Sequence, residues 1–180
     1  MTRTVYYAAT TLDGFLADEN DSLDWLLKQQ IDKDGPFSYD DFIAGIGAIT
    51  MGRTTYDWVL DHEGGRWPYR LPCRVFSHRE LRSVDGDVTF VRGDVSTVHE
   101  DLVHAADGKD VWVVGGGDLA GQFADAGLLD EVAVSIAPVV LGAGRPLLPR
   151  RLDLRVTEVG RNGAFACARY DVVGPLADSS

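Results

Sequence analysis

Two glycine-marked turns carry the pattern of an anion site. Gly115-Gly116-Gly117-Asp118-Leu119-Ala120 follows the apolar run Val111-Trp112-Val113-Val114 and precedes a helical stretch. Glycine has no side chain, so a ligand can lie directly on the backbone there. A helix start adds unpaired N–H groups and the positive end of the dipole, which suit a pyrophosphate. The triplet fits a loose Gly-x-Gly-x-x-Ala dinucleotide pattern. The acid that pattern requires is misplaced, since Asp130 and Glu131 open a strand instead of closing one. Met51-Gly52-Arg53-Thr54-Thr55-Tyr56 repeats the order strand, glycine, helix start. Arg53 in a first helical turn opposes the dipole, a conflict that a bound anion removes, with Thr54 and Thr55 as hydroxyl donors. Each pattern also has a plain reading: a tight turn without ligand, or a surface arginine with two capping threonines.

Ser77-His78-Arg79 follows the strand-like run 73–77. Donors past a strand's C-terminal end lie where open α/β sheets bind ligands. Alone they read as a solvated loop; beside Arg53 they would clamp a phosphate from a second side. In Thr10-Thr11-Leu12-Asp13-Gly14-Phe15-Leu16-Ala17, Asp-Gly is a turn signal. The apolar Phe15 and Leu16 after it either cover a flat ligand or tuck into the core. The chain has no Gly-x-Ser-x-Gly, Walker, His-Glu-x-x-His or EF-hand pattern. His62, His78, His99 and His104 show no ligand spacing, and His99 and His104 read as surface positions of one helix. No metal site is expected.

Elements of alternating type must position these residues. Strands are expected at 3–10, 46–51, 73–77, 87–91, 111–114 and 130–137 from their apolar and β-branched runs. Helices are expected at 21–31, opened by Asp21-Ser22, at 39–44, at 53–60, at 96–107 capped by Ser96 and stopped by Gly108, and from the glycine triplet to 126. On the first of these, Leu23, Leu26, Leu27 and Ile31 fall near one face. Segments 154–159 and 164–173 flank Arg161-Asn162-Gly163, and Asn-Gly signals a hairpin. Strand–helix alternation followed by a hairpin predicts an α/β fold, with a mostly parallel sheet and an antiparallel C-terminal edge. A single domain over 1–174 and a frayed tail at 175–180 are expected.

Composition narrows the partners. A chain of 180 residues, 45% hydrophobic, can bury a core without disulfide or metal. Seventeen basic against 28 acidic residues leave −11, which excludes a general affinity for nucleic acid or anionic membrane. No apolar run is long enough to span a bilayer. The N-terminal residues enter a strand pattern without signal-peptide features. Cys73 and Cys167 read as buried thiols in a reduced cytoplasm, the expected location. The charge is uneven: residues 13–41 hold nine acids and two lysines, whereas residues 52–82 hold six arginines and four acids.

These pieces, in this order, resemble the dihydrofolate reductase superfamily. Met-Gly-Arg-Thr-Thr-Tyr at 51–56 is similar to its Met-Gly-Arg-x-Thr-Trp, and Val-Val-Gly-Gly-Gly at 113–117 to its Ile-Gly-Gly-Gly. Thr11 to Ala17, Leu119-Ala120-Gly121, Leu128-Leu129-Asp130-Glu131 and above all Ile136 to Leu147 resemble the C-terminal reductase domain of RibD, the bifunctional riboflavin-biosynthesis protein. That likeness runs from residue 3 to 173; the zinc signature of the deaminase half is missing. The resemblance implies a mixed, mainly parallel eight-stranded sheet, NADPH as hydride donor, and a homodimer. It implies that Gly52, Arg53, Thr54 and Thr55 hold cofactor phosphates, and that Ser77, His78 and Arg79 meet the 2′-phosphate. Gly115, Gly116, Gly117, Asp118, Leu119 and Ala120 would lie on the pyrophosphate, with a cis bond between Gly115 and Gly116. Ala9, Leu16 and Ala17 would wall the nicotinamide.

The substrate side departs from both relatives. Gln29 or Gln30 stands near the place of the pterin carboxylate, Val114 replaces a glutamate before the glycines, and Phe15 replaces a basic residue after Asp-Gly. The combined expectation is an NADPH-dependent reductase of a small molecule, either a ribosylaminopyrimidine like 5-amino-6-(5-phosphoribosylamino)uracil or a pterin-like ring. Asp24 is the expected proton donor and Asp13 the second candidate, with Leu12, Trp25, Tyr56 and Val114 lining the substrate slot. Two alternatives are a non-catalytic nucleotide-binding protein on the same fold and a broad-specificity NADPH reductase.

Overall fold

Apolar residues recur on both faces of the central strands, and helices cover both faces to bury them. The computed structural model describes residues 1–178. In chain order the elements are β1 (Thr4–Thr11), β2 (Phe15–Ala17), α1 (Asp24–Leu27), α2 (Tyr39–Ala44), β3 (Ile46–Gly52), α3 (Arg53–His62), β4 (Cys73–Phe76) and β5 (Val88–Val91). They continue as α4 (Val95–Ala106), β6 (Asp110–Gly115), α5 (Gly117–Asp125), β7 (Glu131–Ala137), β8 (Arg145–Pro146), β9 (Leu152–Asn162) and β10 (Phe165–Pro175). The eight-stranded sheet has the order β5-β4-β3-β6-β1-β7-β10-β9. Pairings from β5 across to β7 are parallel, and β10 pairs antiparallel with both β7 and β9. This is the expected α/β class with its antiparallel C-terminal edge. β2 and β8 form a separate two-stranded strap.

Side-chain alternation divides the core. Tyr6, Val111 and Val113 pack with Leu102 and Phe123 beneath α4 and α5. Val5, Ile49, Met51 and Trp112 pack with Phe42, Tyr56 and Leu60 beneath α2 and α3. Each fully buried large apolar side chain contributes roughly 1.5–3 kcal/mol. Gly47 permits the closest approach: a Cβ there would lie 2.0 Å from the Ala106 carbonyl oxygen, so α4 rests directly on β3. Cys73 and Cys167 are both buried and free.

Several boundaries differ from the sequence pattern. The helix expected over 21–31 is a single turn, α1; Asp21 takes φ 60° outside it, and Leu27 and Ile31 are about half exposed. Helix α4 is capped by Asp94, whose carboxylate accepts from the Ser96 N–H, not by Ser96. The hairpin is longer than expected, and Asn162 belongs to β9, paired with Phe165, while Gly163 makes the turn with φ +56°. The residues read as a tail are held as far as 178: Pro175 pairs with Leu152, the Leu176 N–H donates to the Arg151 carbonyl, and Asp178 sits 3.6 Å from Arg151. Ser179 and Ser180 lie outside the described residues.

Asn162 fixes the segment that follows the short helix. Its buried amide accepts from the Asp32 N–H at 2.8 Å and donates to the Asp32 and Pro36 carbonyls at 2.9 and 2.7 Å. The hairpin therefore holds segment 30–36 as an open loop, with the Ala164 N–H also donating to the Gln30 carbonyl at 2.9 Å. Asn162→Ala removes three bonds and is expected to cost about 2 kcal/mol in urea unfolding, with new proteolytic cleavage confined to residues 28–38.

Candidate functional site

Strand register assembles a row of polar residues at one sheet edge. Gly52, Phe76 and Val91 are in-register neighbours on the parallel strands β3, β4 and β5. The next residues of the three strands, Arg53, Ser77 and Arg92, therefore emerge side by side. On the other flank Met51 pairs with Gly115, which places the β6–α5 turn against the β3–α3 turn. A cavity of about 940 Å³ opens over this edge and continues across the α2/α3 face of the sheet. That is at the upper end of the roughly 300–1,000 Å³ of ligand clefts.

The edge half is cationic. Arg53 is half-buried, His78 and Arg92 are exposed, and all three line the cleft. Among the described residues none of the three forms an ion pair. Helices α3 and α5 begin at Gly52 and Gly116 without a side-chain cap, so their first N–H groups face the cleft unclaimed by a side chain. The Gly115–Gly116 peptide is cis, as the resemblance implied. A Cβ on Gly116 would meet no protein atom within 4 Å, so the cleft floor there is bare backbone. A Cβ on Gly117 would lie 2.4 Å from the Pro146 and Leu147 carbonyl oxygens, because the strap segment packs on the start of α5. Arg150 braces the same helix with ion pairs to Asp118 (3.1 Å) and Asp125 (2.8 Å).

The other half is aromatic. Tyr7 stacks on Phe42 at 4.1 Å and meets Trp112 edge-on at 6.0 Å; Tyr69 meets Trp112 at 6.0 Å. The Trp112 indole N–H donates to the Tyr7 carbonyl at 3.1 Å. Burial raises the Tyr7 and Tyr69 hydroxyls above the ordinary tyrosine value, so both stay protonated at neutral pH. Leu23, Leu26 and Val114 complete this wall. Between the halves, Arg145 on the strap pairs with Asp21 at 2.7 Å and donates to the Glu19 carbonyl at 3.0 Å.

Most of the expected cofactor residues meet in this cleft. Ala9, Leu16, Ala17, Gly52, Arg53, Thr54, Thr55, Ser77, His78, Gly115, Gly116, Gly117, Asp118 and Leu119 line it, as does Val114. Ser77 lines it with a hydroxyl already engaged, since Oγ donates to the Arg79 carbonyl at 2.7 Å. Arg79 is exposed and does not line the cleft, and Ala120 is fully buried on the core side of α5.

The expected proton donors and most of the slot residues lie outside the cleft. Asp24 is exposed on α1, because the helix stops after one turn and leaves its carboxylate in solvent. Trp25 is buried with Ala137, Phe165 and Cys167 on another part of the sheet. Tyr56 is fully buried, its hydroxyl donating to the Arg82 carbonyl. Leu12 is 70% exposed in the β1–β2 turn. Asp13 accepts from Thr11 Oγ1 at 2.6 Å and from the Leu141 and Gly142 N–H groups at 3.2 and 2.8 Å, tying that turn to the 138–144 loop. The Thr11 hydrogen bond, followed by the two backbone donors, holds its carboxyl below the ordinary range. It is ionised at neutral pH and has no proton to give.

Sequence reasoning missed Arg92, Tyr7, Trp112 and Arg145. The first was available: it is the residue after the expected strand 87–91, in the position that singled out Ser77 after 73–77. Tyr7 and Trp112 carried a weaker signal, since alternation puts aromatic residues of two strands on one face only once the strands are known to be neighbours. His99, read as a surface residue, is half-buried with a ring nitrogen 2.8 Å from Thr4 Oγ1.

A folded-state carboxyl held below its unfolded value contributes stability that is complete above the ordinary carboxylate range and is lost as pH falls through the folded value. Asp13→Asn is therefore expected to lower the melting temperature by a few degrees at neutral pH, with the gap to the parent closing below about pH 4. Thermal melts across a pH series check this; a gap independent of pH would contradict the ionic role.

The family model of the RibD C-terminal domain matches residues 4–164. The uncharacterized protein YwjB of Bacillus subtilis is 33% identical over 146 residues, covering 81% of this chain and 82% of that protein. Among solved structures, a Shewanella sp. PV-4 protein provisionally assigned to riboflavin biosynthesis superposes with a TM-score of 0.80 at 26% identity, over 94% of this chain and 98% of that one. Dihydrofolate reductase of Enterococcus faecalis, solved with NADP(H) and RAB-propyl, superposes with a TM-score of 0.58 at 14% identity, over 95% of this chain and 96% of that one. The last shares the fold. The chain belongs to the RibD C-terminal domain family.

Proposed function

We propose that this member of the RibD C-terminal domain family is an NADPH-dependent reductase of a small planar molecule of the ribosylaminopyrimidine or pterin kind. The observation that carries the reading is the register row Arg53, Ser77 and Arg92 beside the bare backbone of Gly116. Such an edge fits a dinucleotide with an additional phosphate. The two uncapped helix starts offer N–H donors to a pyrophosphate. Thr54 and Thr55 add hydroxyls in the first turn of α3. Arg53, Arg92 and His78 stand where a 2′-phosphate would be held, and arginine suits phosphate through its planar donor fork. Ala9 and Ala17 leave room for a flat ring, and Leu16 of the strap keeps water from it.

Bound NADPH supplies the hydride, so the protein's own task is binding, orientation and exclusion of water. Among the described residues, the two carboxylates lining the cleft are engaged: Asp21 by Arg145, and Asp118 by Gln122 and Arg150. The lack of a free carboxylate there also favours a second reading, a binding protein that takes NADPH without turnover. Stopped-flow measurement of NADPH oxidation with a panel of pterins and ribosylaminopyrimidines separates the two: tight coenzyme binding with no oxidation on any compound sinks the reductase reading.

Calorimetry tests the cationic edge. Arg53→Ala and Arg92→Ala are each expected to weaken NADPH about tenfold or more and NADH by much less. Equal loss for both coenzymes would remove the 2′-phosphate role.

A homodimer through the C-terminal hairpin belongs to the same proposal. Leu154, Val156, Val159 and Val173 are all exposed on β9 and β10, and β9, 11 residues long, is the edge strand beyond β10. Light scattering is expected to give twice the chain mass, and Val156→Asp to return the monomer.

A further inference from the structure

We infer that the ring compound taken by the aromatic half of the cleft is uncharged, carrying neither a phosphate nor a protonated amidine. The inference rests on the reductase reading for the role of the other half, and on the lining for its own content. The aromatic half is walled by Tyr7, Leu23, Leu26, Tyr69, Trp112 and Val114. Among the described residues, the cations of the whole cleft are Arg53, His78, Arg92 and Arg145. The first three follow β3, β4 and β5, which lie on the side of β6 away from β1. Arg145 is already held by Asp21 and the Glu19 carbonyl. Arg66 and Arg70, in the loop before β4, are exposed and do not line the cleft.

A phosphate in this half would exchange its hydration for aromatic faces, which carry negative charge. Burying an anion without a partner costs more than such contacts return. The neighbouring segment 13–41, with nine acids against two lysines, adds a repulsion that salt screens. The opposite charge is no better served. A protonated amidine needs a free carboxylate, and Asp21 and Asp118 are both paired while Asp24 and Asp13 lie outside. What remains are ring faces and edges and the two neutral hydroxyls of Tyr7 and Tyr69, a lining that suits a flat, conjugated, neutral ring.

Three bicyclic probes test this by calorimetry on protein loaded with NADP⁺: neutral lumazine, anionic 6-carboxylumazine, and 2,4-diaminopteridine as the protonatable amidine. Lumazine is expected to bind at least about tenfold more tightly than either of the others. Any smaller preference, or no binding of lumazine, overturns the inference. Leu26→Arg places a cation on the same wall and is expected to bring 6-carboxylumazine level with lumazine or ahead of it. An unchanged order in the folded variant contradicts the assignment of this half as the ring site. If NADP⁺ itself does not bind, the reductase reading fails instead, and the three probes on the coenzyme-free protein still decide the charge preference.

Discussion

Parallel register at one sheet edge is the constraint on which the cleft depends. Gly52, Phe76 and Val91 end their strands level with one another, and Met51 stands opposite Gly115. A slip of one residue in any of these strands would turn its following side chain to the other face. The register is secured by burial on both faces: Ile49, Met51, Val75 and Trp112 fill one side, Ala48, Val111 and Val113 the other. The apolar core therefore fixes, at no extra cost, the positions of Arg53, Ser77 and Arg92, which belong to no core. Among the described residues the two arginines form no ion pair, which leaves their donors available for a ligand, while the Ser77 hydroxyl is held by the Arg79 carbonyl.

The strap extends this constraint to the other side of the cleft. The Tyr6 hydroxyl donates to the Leu147 carbonyl at 2.7 Å, and the Leu147 N–H donates to the Gly14 carbonyl at 2.9 Å. The Pro146–Leu147 backbone thus rests on β1, on the β1–β2 turn and on Gly117 together. Arg150, a few residues further on, braces α5 through Asp118 and Asp125. Exposed ion pairs of this sort are individually weak. Their value here is geometric, since they orient the helix whose start forms the cleft floor.

The sequence was legible wherever local chemistry and tertiary packing agree. Strand–helix alternation, the two glycine turns and the C-terminal hairpin follow from period, cap and turn signals, and the glycine turns proved to be neighbours. The readings that failed were those in which a distant residue overrules a local pattern. Segment 21–31 has helical spacing, but only Asp24–Leu27 is helical, and the hairpin engages its end through the Ala164 N–H on the Gln30 carbonyl. Asp13 has the type of a catalytic acid, but Thr11, Leu141 and Gly142 surround it with donors. Trp25 and Tyr56 have the type of slot residues and are core. Residue type states what a side chain is able to do; only its neighbours determine whether it faces a ligand.

The same distinction bears on charge. Read along the chain, the acidic stretch 13–41 and the arginine-bearing stretch 52–82 are two solvated surfaces or two halves of a site with equal warrant. The fold shows that the basic stretch contributes one arginine, Arg53, to the cleft, and that a second, Arg92, comes from outside it. The acidic stretch contributes Asp21, which is neutralised by Arg145. Net charge per segment therefore misjudges both the size and the origin of the field inside. The cleft is polarised because helix starts and strand ends gather at one end while aromatic side chains gather at the other. This polarity arises from topology: parallel strands deliver their C-terminal donors to a single edge, and the face beneath α2 and α3 receives the residues that alternate away from α4 and α5.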